Sequence, residues 1–384
     1  MAENTKIQWA THTFNPWRGC TKVAAGCANC YADTLSKRNP KTLGIWGLNG
    51  TRVVASESMW REPVKWDRCA VLTCEDCGND YMSEPAPKGV VPIENSWEFE
   101  CGCGCNSYTA AKPRVFCASL ADVFEDFGGV MRGIKDGYLH HSKRWHVRDD
   151  MKYIELPEIA VGASRVTMGD VRARLFALID KTPNLDWLLL TKRPQNVPRM
   201  THDHWTEKVP GHISQNDGDG RGWKRRDNAW LGTSIACQED ANRNIQELLK
   251  CRDLAAKIFL SIEPLIEPVD FRLVPGFNKC GQAGQDIVRN LWVIVGGESG
   301  PNARPCDVAW IRSIVGQCHN AGVPCFVKQV GSMCIDNDAA SRCHWPPLTE
   351  FHQNNERCRV LQKHPKGGDP AEWPEDIRVR KVPS

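Results

Sequence analysis

The sequence LWVIVGGESG at residues 291–300 is the clearest indication of the architecture. Its first five residues are apolar without interruption, and two glycines and Glu298 follow them. A strand with one face in water alternates apolar and polar residues, whereas a strand covered on both faces of a parallel sheet does not. We therefore predict a buried parallel strand that ends in a polar turn.

Similar apolar runs recur on both sides of this stretch. The predicted strands are 114–120, 187–190, 230–236, 258–262, 292–295 and 323–327, with one more near 7–13. Amphipathic helical patterns lie between several of them, at 171–179, 245–249 and 310–318. This alternation is typical of βαβ units. We predict an α/β fold, a partial or full (βα) barrel of about seven strands, with a doubly wound open sheet as the competing architecture.

Polar residues follow almost every predicted strand. In α/β folds the ligand site lies at the carboxyl ends of the strands, so these residues are candidates for binding a ligand. The alternative is that they are ordinary polar loop residues. The candidates are Ser119, Asp122, Ser234, Glu263 and Glu298, and Lys192 and Lys328 occupy equivalent positions.

Composition limits the class of protein. The chain has 384 residues, of which 41% are hydrophobic and 25% charged, as in globular proteins. We find no apolar run of the roughly 20 residues that a membrane span needs, and the first 15 residues contain no apolar signal core. We expect a cytoplasmic protein without membrane contact. A formal net charge of +3 is too small to indicate a polyanionic partner.

The 19 cysteines are unusual, because cytoplasmic cysteines in groups are more often metal ligands than disulfides. Residues 14–33 read FNPWRGCTKVAAGCANCYAD and place Cys20, Cys27 and Cys30 on one loop. Three thiolates are the ligands that a 4Fe–4S cluster needs when one iron stays open for a substrate or cofactor. A zinc site with one distant ligand is the alternative.

A second cysteine group lies at residues 69–112. Two closely spaced sets of thiols, separated by 23 residues, are typical of a zinc ribbon. We predict a structural zinc held by four of five cysteines, with an auxiliary iron–sulfur cluster as the alternative. The five candidates are Cys74, Cys77, Cys101, Cys103 and Cys105. The predicted organisation is an α/β barrel over 1–68 and 113–335, a cysteine-rich insert over 69–112, and a surface-wrapping extension over 336–384.

Two stretches interleave basic and aromatic residues. Residues 132–152 include Arg144 and Arg148, and residues 221–226 read RGWKRR. Such stretches can bind phosphates and stack on bases. The alternative is a solvated surface, which the neighbouring aspartates favour.

Seven ordered segments and a tail carry a resemblance to a known family. They are NPWRGCTKVAAGCANCYA (15–32), RVFCASLADVFED (114–126), WLLLTKRPQN (187–196), LGTSI (231–235), FLSIEPL (259–265), VIVGGESGPNARP (293–305), FVKQVG (326–331) and EWPEDIRVR (372–380). Together they resemble a phage-encoded family of radical-S-adenosylmethionine-like proteins. The resemblance implies a barrel of the radical-SAM type. It also implies a 4Fe–4S cluster on Cys20, Cys27 and Cys30, and S-adenosylmethionine bound by the strand-end candidates.

The resemblance also implies a reaction. We expect an isomerase in phage thymidine hypermodification that converts 5-N-α-glycinylthymidine to 5-C-α-glycinylthymidine in DNA. A flipped-out base and an electron donor such as flavodoxin or ferredoxin would be its partners. Two alternatives remain: a radical-SAM lyase that repairs DNA photoproducts, and a zinc-bearing nucleic-acid-binding protein without catalysis.

Overall fold

The computed structural model describes residues 2–3, 5, 7–77, 79–85, 101–129, 131–133, 137–138, 166–208, 221–274, 290–338, 340–347, 349–354 and 357–383. Its largest sheet has eight strands that lie in chain order. They are β1 (Ala2–Glu3), β2 (His12–Thr13), β3 (Arg114–Cys117), β4 (Asp186–Thr191), β5 (Arg226–Ser234), β6 (Ala255–Ile262), β7 (Leu291–Gly296) and β8 (Cys325–Gln329).

The predicted α/β class is confirmed. Seven strands, β2 to β8, are parallel, and the two-residue β1 is antiparallel to β2. Because each strand lies beside the next one in sequence, the sheet lacks the reversal of strand order that defines a doubly wound sheet. The order is that of a (βα) barrel. It is linear among the described strands and corresponds to a partial barrel.

All seven predicted strands are present, with shifted ends. β5 begins at Arg226, four residues before its predicted start, and β3 ends at Cys117, three residues before its predicted end. Residues 291–296 are buried throughout, as the uninterrupted apolar run predicts. The outer edge of β8 is paired with the C-terminal tail, where the Val327 N–H donates to the Val379 carbonyl at 2.7 Å. This pairing covers an otherwise exposed sheet edge.

Seven α-helices are described: α1 (Tyr31–Arg38), α2 (Pro40–Leu43), α3 (Glu57–Trp66), α4 (Met168–Lys181), α5 (Val197–Trp205), α6 (Gln238–Leu249) and α7 (Val308–Ala321). Capping side chains set their limits. Thr167 and Asp170 form a reciprocal capping box at the start of α4. Asp307 caps α7, and Gly322, with φ 68°, ends it. No described helix has the length and apolar character of a membrane span.

The chain divides into two compact units. The first comprises Met1–Thr21, Ala32–Leu189 and Met200–Ala229, and the second comprises Lys22–Tyr31, Leu190–Arg199 and Trp230–Ser384. In the first unit, Val71–Cys74 pairs with Asp80–Met82 and with Tyr108–Ala111 in a small antiparallel sheet. Trp17–Arg18, Arg52–Val54, Met131–Gly133 and Gly137–Tyr138 form a second small sheet, and Thr206–Lys208 pairs with Arg221–Trp223.

The second unit contains the end of the chain. Cys306–Asp307, Cys334–Ile335, Glu350–Asn354 and Arg357–Leu361 form a four-stranded sheet. Trp345 and Trp373 are buried there, 5% and 0% exposed. Their indole N–H groups donate to Asp336 Oδ2 at 2.7 Å and to the Gly367 carbonyl at 3.0 Å. Residues after 336 therefore have buried anchors of their own.

Candidate functional site

The second half of the cysteine loop packs against the carboxyl ends of the strands. In the second unit, Ala25–Cys27 forms a 3-10 turn, and the Cys30 N–H donates to the Cys27 carbonyl at 3.3 Å. A Cβ on Gly26 would lie 3.1 Å from Ala236 Cβ and 3.5 Å from Pro264 Cδ. Ala236 follows β5 and Pro264 follows β6, so the loop approaches the sheet closely enough to leave little room for a side chain at Gly26.

Glu298 holds this loop in place. Arg304 donates from Nη2 to Oε1 at 2.7 Å and from Nε to Oε2 at 2.9 Å, a two-contact ion pair. Asn29 donates from Nδ2 to Oε2 of the same carboxylate at 3.0 Å. Arg304 also donates from Nη1 to the Ala25 carbonyl at 3.0 Å. The carboxylate after β7 thus contacts the loop directly through Asn29, beside Cys30, and indirectly through Arg304.

Glu298 is 6% exposed. Burial by itself raises its pKa, but the hydrogen bonds from the Arg304 side chain and backbone and from Asn29 outweigh burial and hold the pKa below its ordinary value. The group is a carboxylate at neutral pH. Sequence reasoning placed Glu298 at the site but missed Asn29 and Arg304, although GGESGPNAR contains the arginine.

Two more of the predicted strand-end residues, Ser234 and Glu263, lie in the second unit and each contacts a lysine. Lys192 donates to Ser234 Oγ at 2.6 Å, and Lys328 lies 2.8 Å from Glu263 Oε1. Ser261 Oγ donates to the other carboxylate oxygen of Glu263 at 3.2 Å. The carboxyl ends of β4, β5, β6 and β8 therefore carry a set of charged and hydroxyl groups, as the sequence predicts.

The remaining strand-end candidates belong to the first unit and make local contacts. Asn15 donates to Ser119 Oγ at 3.1 Å and accepts from the Leu120 N–H at 2.7 Å. Asp122 is buried and accepts from the Phe124 N–H at 3.0 Å. These bonds give Asp122 a turn-forming role after β3.

The first cysteine of the loop is held by a buried ion pair that sequence reasoning missed. Arg52 Nε lies 2.8 Å from Glu125 Oε2, with side chains 0% and 2% exposed. Arg52 Nη2 also donates to Thr21 Oγ1 at 2.9 Å, and the Gly47 N–H donates to the Cys20 carbonyl at 3.0 Å. Arg52 therefore contacts Thr21 and also Gly47, whose carbonyl accepts from its Nη2 at 3.3 Å and whose N–H holds the Cys20 carbonyl.

Cys20 belongs to the first unit, and Cys27 and Cys30 belong to the second. Cys27 is buried, and Cys20 and Cys30 are partly exposed. The assignment of the three thiols to one cluster stays a prediction from their spacing. Arg144 and Arg148 lie outside the described residues.

The second cysteine group forms a compact cluster in the first unit. The sulfur atoms of Cys74, Cys77, Cys101 and Cys103 all lie within 4.8 Å of one another. Cys101 Sγ is 3.5 Å from Cys77 Sγ and 3.2 Å from Cys103 Sγ, and Cys74 Sγ is 3.6 Å from Cys103 Sγ. Four thiols at these distances could hold a metal ion such as zinc.

The fifth candidate, Cys105, is outside this cluster and exchanges hydrogen bonds with the Ser107 backbone instead. The geometry thus assigns the fourth ligand, which the sequence left open, to Cys103. The pairing of Val71–Cys74 with Tyr108–Ala111 brings the two cysteine turns together.

Proton affinities within the cluster differ. The Cys103 N–H and the Tyr81 hydroxyl donate to Cys101 and lower its pKa to about 6. The hydrogen bond with Cys101 raises the pKa of Cys103 to about 12. The cluster without metal therefore holds one thiolate readily, and a bound cation would favour the thiolate form of the others and release their protons.

The sequence matches the family model of DUF5131, described as a protein of unknown function, over residues 4–130 and 162–367. The chain belongs to the DUF5131 family. Searches of curated proteins and of solved structures each find no match.

The DUF5131 match covers both cysteine groups and the Glu298 network. It leaves out residues 131–161, which include Arg144 and Arg148. The cysteine loop and its anchors therefore lie within the part of the chain that the family shares.

Proposed function

We propose that this DUF5131 protein is a radical S-adenosylmethionine enzyme that modifies a base in phage DNA. The observation that carries the proposal is the position of loop 22–31. Cys27 and Cys30 lie on a loop that packs against the carboxyl ends of β5 and β6 and is held by Glu298 and Arg304. Ligand sites of α/β barrels lie at these ends.

We propose that the cysteine loop holds a 4Fe–4S cluster. Cys20, Cys27 and Cys30 offer three soft thiolate ligands, and three thiolates leave one iron open. The turn over Ala25–Cys27 brings the Cys27 carbonyl to the Cys30 N–H, so the last two cysteines lie on one tight turn. When bound, the cluster and S-adenosylmethionine supply a 5′-deoxyadenosyl radical, which removes hydrogen from carbon.

The protein's own groups position these components. Glu298, Arg304 and Asn29 fix the loop that carries Cys27 and Cys30, and Arg52 and Glu125 fix the backbone around Cys20. Ser119, Asp122, Ser234, Glu263 and Glu298 remain the proposed contacts to S-adenosylmethionine. Of these, Glu298 already accepts three hydrogen bonds from Arg304 and one from Asn29. We therefore assign it first to the loop.

The most concrete reaction is isomerisation of 5-N-α-glycinylthymidine to 5-C-α-glycinylthymidine. The bond from the thymine methylene to the glycyl nitrogen breaks and a bond from the methylene to the glycyl α-carbon forms. The hydrogen that leaves the α-carbon returns to the nitrogen by way of 5′-deoxyadenosine, so the mass does not change. The α-carbon is a suitable site for hydrogen removal because amine and carboxylate both stabilise the radical. The base would leave the duplex to reach the site. An electron carrier such as flavodoxin or ferredoxin would supply the electron in the host cytoplasm.

We assign the four-cysteine cluster to zinc in a structural role. Four thiolates close a tetrahedral site and leave no position for a substrate. The small sheet around it has few buried apolar residues, so the metal would supply much of its folding free energy.

One experiment tests the proposal. DNA with 5-N-α-glycinylthymidine deuterated at the glycyl α-carbon is incubated anaerobically with the protein, S-adenosylmethionine and dithionite, and nucleosides and 5′-deoxyadenosine are analysed by mass. We expect deuterium in 5′-deoxyadenosine and a C-linked isomer whose loss of deuterium matches the label found there. Label arising only from the thymine ring or sugar would favour the photoproduct lyase. Absence of iron would favour a zinc-bearing nucleic-acid-binding protein.

A further inference from the structure

A cleft of about 460 Å³ lies on the first unit, beside the four-cysteine sheet. Its lining includes four cationic side chains and two carboxylates, which give a net charge of +2. These are Lys112, Lys224, Arg225, Arg226, Asp180 and Asp227. Charge of this density contrasts with a whole chain of 384 residues whose formal net charge is only +3.

Arg226 forms the fixed floor of the cleft. It pairs with Asp180 at 2.6 Å and donates to the Lys224 carbonyl at 2.8 Å and to the His204 carbonyl at 3.0 Å. Because its side chain is only 12% exposed, the Arg226 guanidinium interacts mainly with these internal partners. It holds the backbone from which Lys224 and Arg225 project.

The other cations lie at or near the surface. Lys224 and Arg225 are exposed, and the Arg225–Asp227 pair, 51% and 86% exposed, is of the kind that contributes little and exchanges readily. Lys112 donates one hydrogen bond, to the Pro183 carbonyl at 2.8 Å, and an ammonium group has three donors. Asn228 occupies the Ile179 and Thr182 carbonyls, so these acceptors at the end of α4 are already satisfied.

We infer that this cleft binds the phosphate backbone of DNA. Two exposed cations and the partly exposed Lys112, above the Arg226 ion pair, suit phosphates spaced along a strand. A phosphate would replace Asp227 as the partner of Arg225. The identity of the polyanion as DNA rests on the proposed function. These contacts would add to those predicted for Arg144 and Arg148.

The cleft is also joined to the four-cysteine cluster. Lys112 directly follows the strand Tyr108–Ala111, whose Tyr108 pairs with Cys74. Loss of the metal would disorder this strand and move Lys112. We therefore expect removal of zinc by a chelator to weaken DNA binding without any contact between the metal and DNA.

The test compares two triple variants of the full-length protein that have the same charge. Lys112→Ala/Lys224→Ala/Arg225→Ala removes three cations from the cleft. Lys37→Ala/Lys65→Ala/Lys250→Ala removes three cations elsewhere that are 73%, 60% and 62% exposed. Both lower the formal net charge from +3 to 0. Binding of a fluorescent DNA duplex is measured between about 50 and 200 mM salt, with far-UV circular dichroism as a check on folding.

We expect the cleft variant to bind DNA at least about tenfold more weakly, with a salt slope smaller by roughly two to three, while the control keeps wild-type affinity. Lys224→Glu, an exposed single change, should show the same direction. Equal losses of DNA affinity in both triple variants would contradict specific binding of DNA at the cleft. Unchanged DNA affinity in the cleft variant would contradict DNA binding at the cleft but not the proposed DNA substrate. Wild-type protein that does not bind DNA, or that binds RNA of the same sequence more tightly, would contradict both this inference and the proposed substrate.

Discussion

Asn29, the residue before the last cysteine of the loop, donates from Nδ2 to Oε2 of Glu298 at 3.0 Å across 269 residues of sequence. The same carboxylate oxygen accepts from Arg304 Nε at 2.9 Å. Loop 22–31, of which only Cys27 is buried, is thus fixed by a buried carboxylate. Disturbing that carboxylate should release the loop before it disturbs the strands beneath.

Glu298→Gln should lower the free energy of unfolding of the protein by roughly 1.5–3 kcal/mol, because it removes hydrogen bonds between charged groups that are 7% and 28% exposed. Iron retention after anaerobic reconstitution should fall with it. Urea denaturation and iron analysis measure the two effects. Asp270→Asn, which breaks an ion pair whose arginine is 77% exposed, is the control and should change stability by less than about 0.5 kcal/mol. Equal effects of the two changes would remove the special role of Glu298.

Glu125→Gln should be more damaging. It leaves the Arg52 guanidinium buried and without its carboxylate, and breaking such a pair costs roughly 3–5 kcal/mol. Equilibrium unfolding of this variant is compared with that of Glu62→Gln, whose partner Lys65 is 60% exposed. A Glu125→Gln protein as stable as the control would show that the buried pair does not hold the backbone around Cys20.

The four-cysteine cluster predicts a sharp difference between neighbours. Cys101→Ser should lose about one zinc per chain, because its sulfur lies within 3.5 Å of both Cys77 and Cys103. Cys105→Ser should keep its zinc, since Cys105 bonds to Ser107 outside the cluster. Metal analysis by mass spectrometry gives the stoichiometry. Loss of zinc in Cys105→Ser with retention in Cys103→Ser would reverse the ligand assignment.

His12 gives a pH dependence of stability. Its ring stacks on Trp66 with centroids 4.3 Å apart and is 1% exposed, and burial lowers its pKa from 6.5 to about 4. The folded state therefore favours the neutral ring. The contribution of His12 to the free energy of unfolding is complete above pH 6.5. It is lost as the pH falls toward 4, by at most about 1.4 kcal/mol per pH unit.

Urea unfolding of wild type and His12→Gln between pH 7 and pH 4.5 measures this effect. The difference between the two proteins matters, because burial raises the pKa of Asp67 to about 6 and gives an opposite slope in the same range. The stability of the wild type should fall more steeply on acidification than that of the variant. Parallel curves would contradict a neutral buried His12.

The strands could be predicted from the sequence, but the contacts that anchor the cysteine loop could not. Continuous apolar runs such as 291–295 specify buried strands, and the residues after them mark the carboxyl edge. Nothing local indicates that Asn29 meets Glu298 or that Arg52 meets Glu125, because these pairs join residues 269 and 73 positions apart. Likewise, CGCGC cannot distinguish Cys103 from Cys105 as a ligand until the strand pairing of Cys74 with Tyr108 fixes the turn.

We propose that the loop containing Cys20, Cys27 and Cys30 supports radical chemistry on S-adenosylmethionine. The most direct test is the amount of 5′-deoxyadenosine formed anaerobically by reconstituted protein with S-adenosylmethionine and dithionite, compared between wild type and Cys27→Ala. We predict formation by the wild type, with absorbance near 400 nm from the cluster, and none by the variant. Equal amounts of 5′-deoxyadenosine from both proteins, or none from a wild type that retains its zinc, would contradict radical chemistry at this loop.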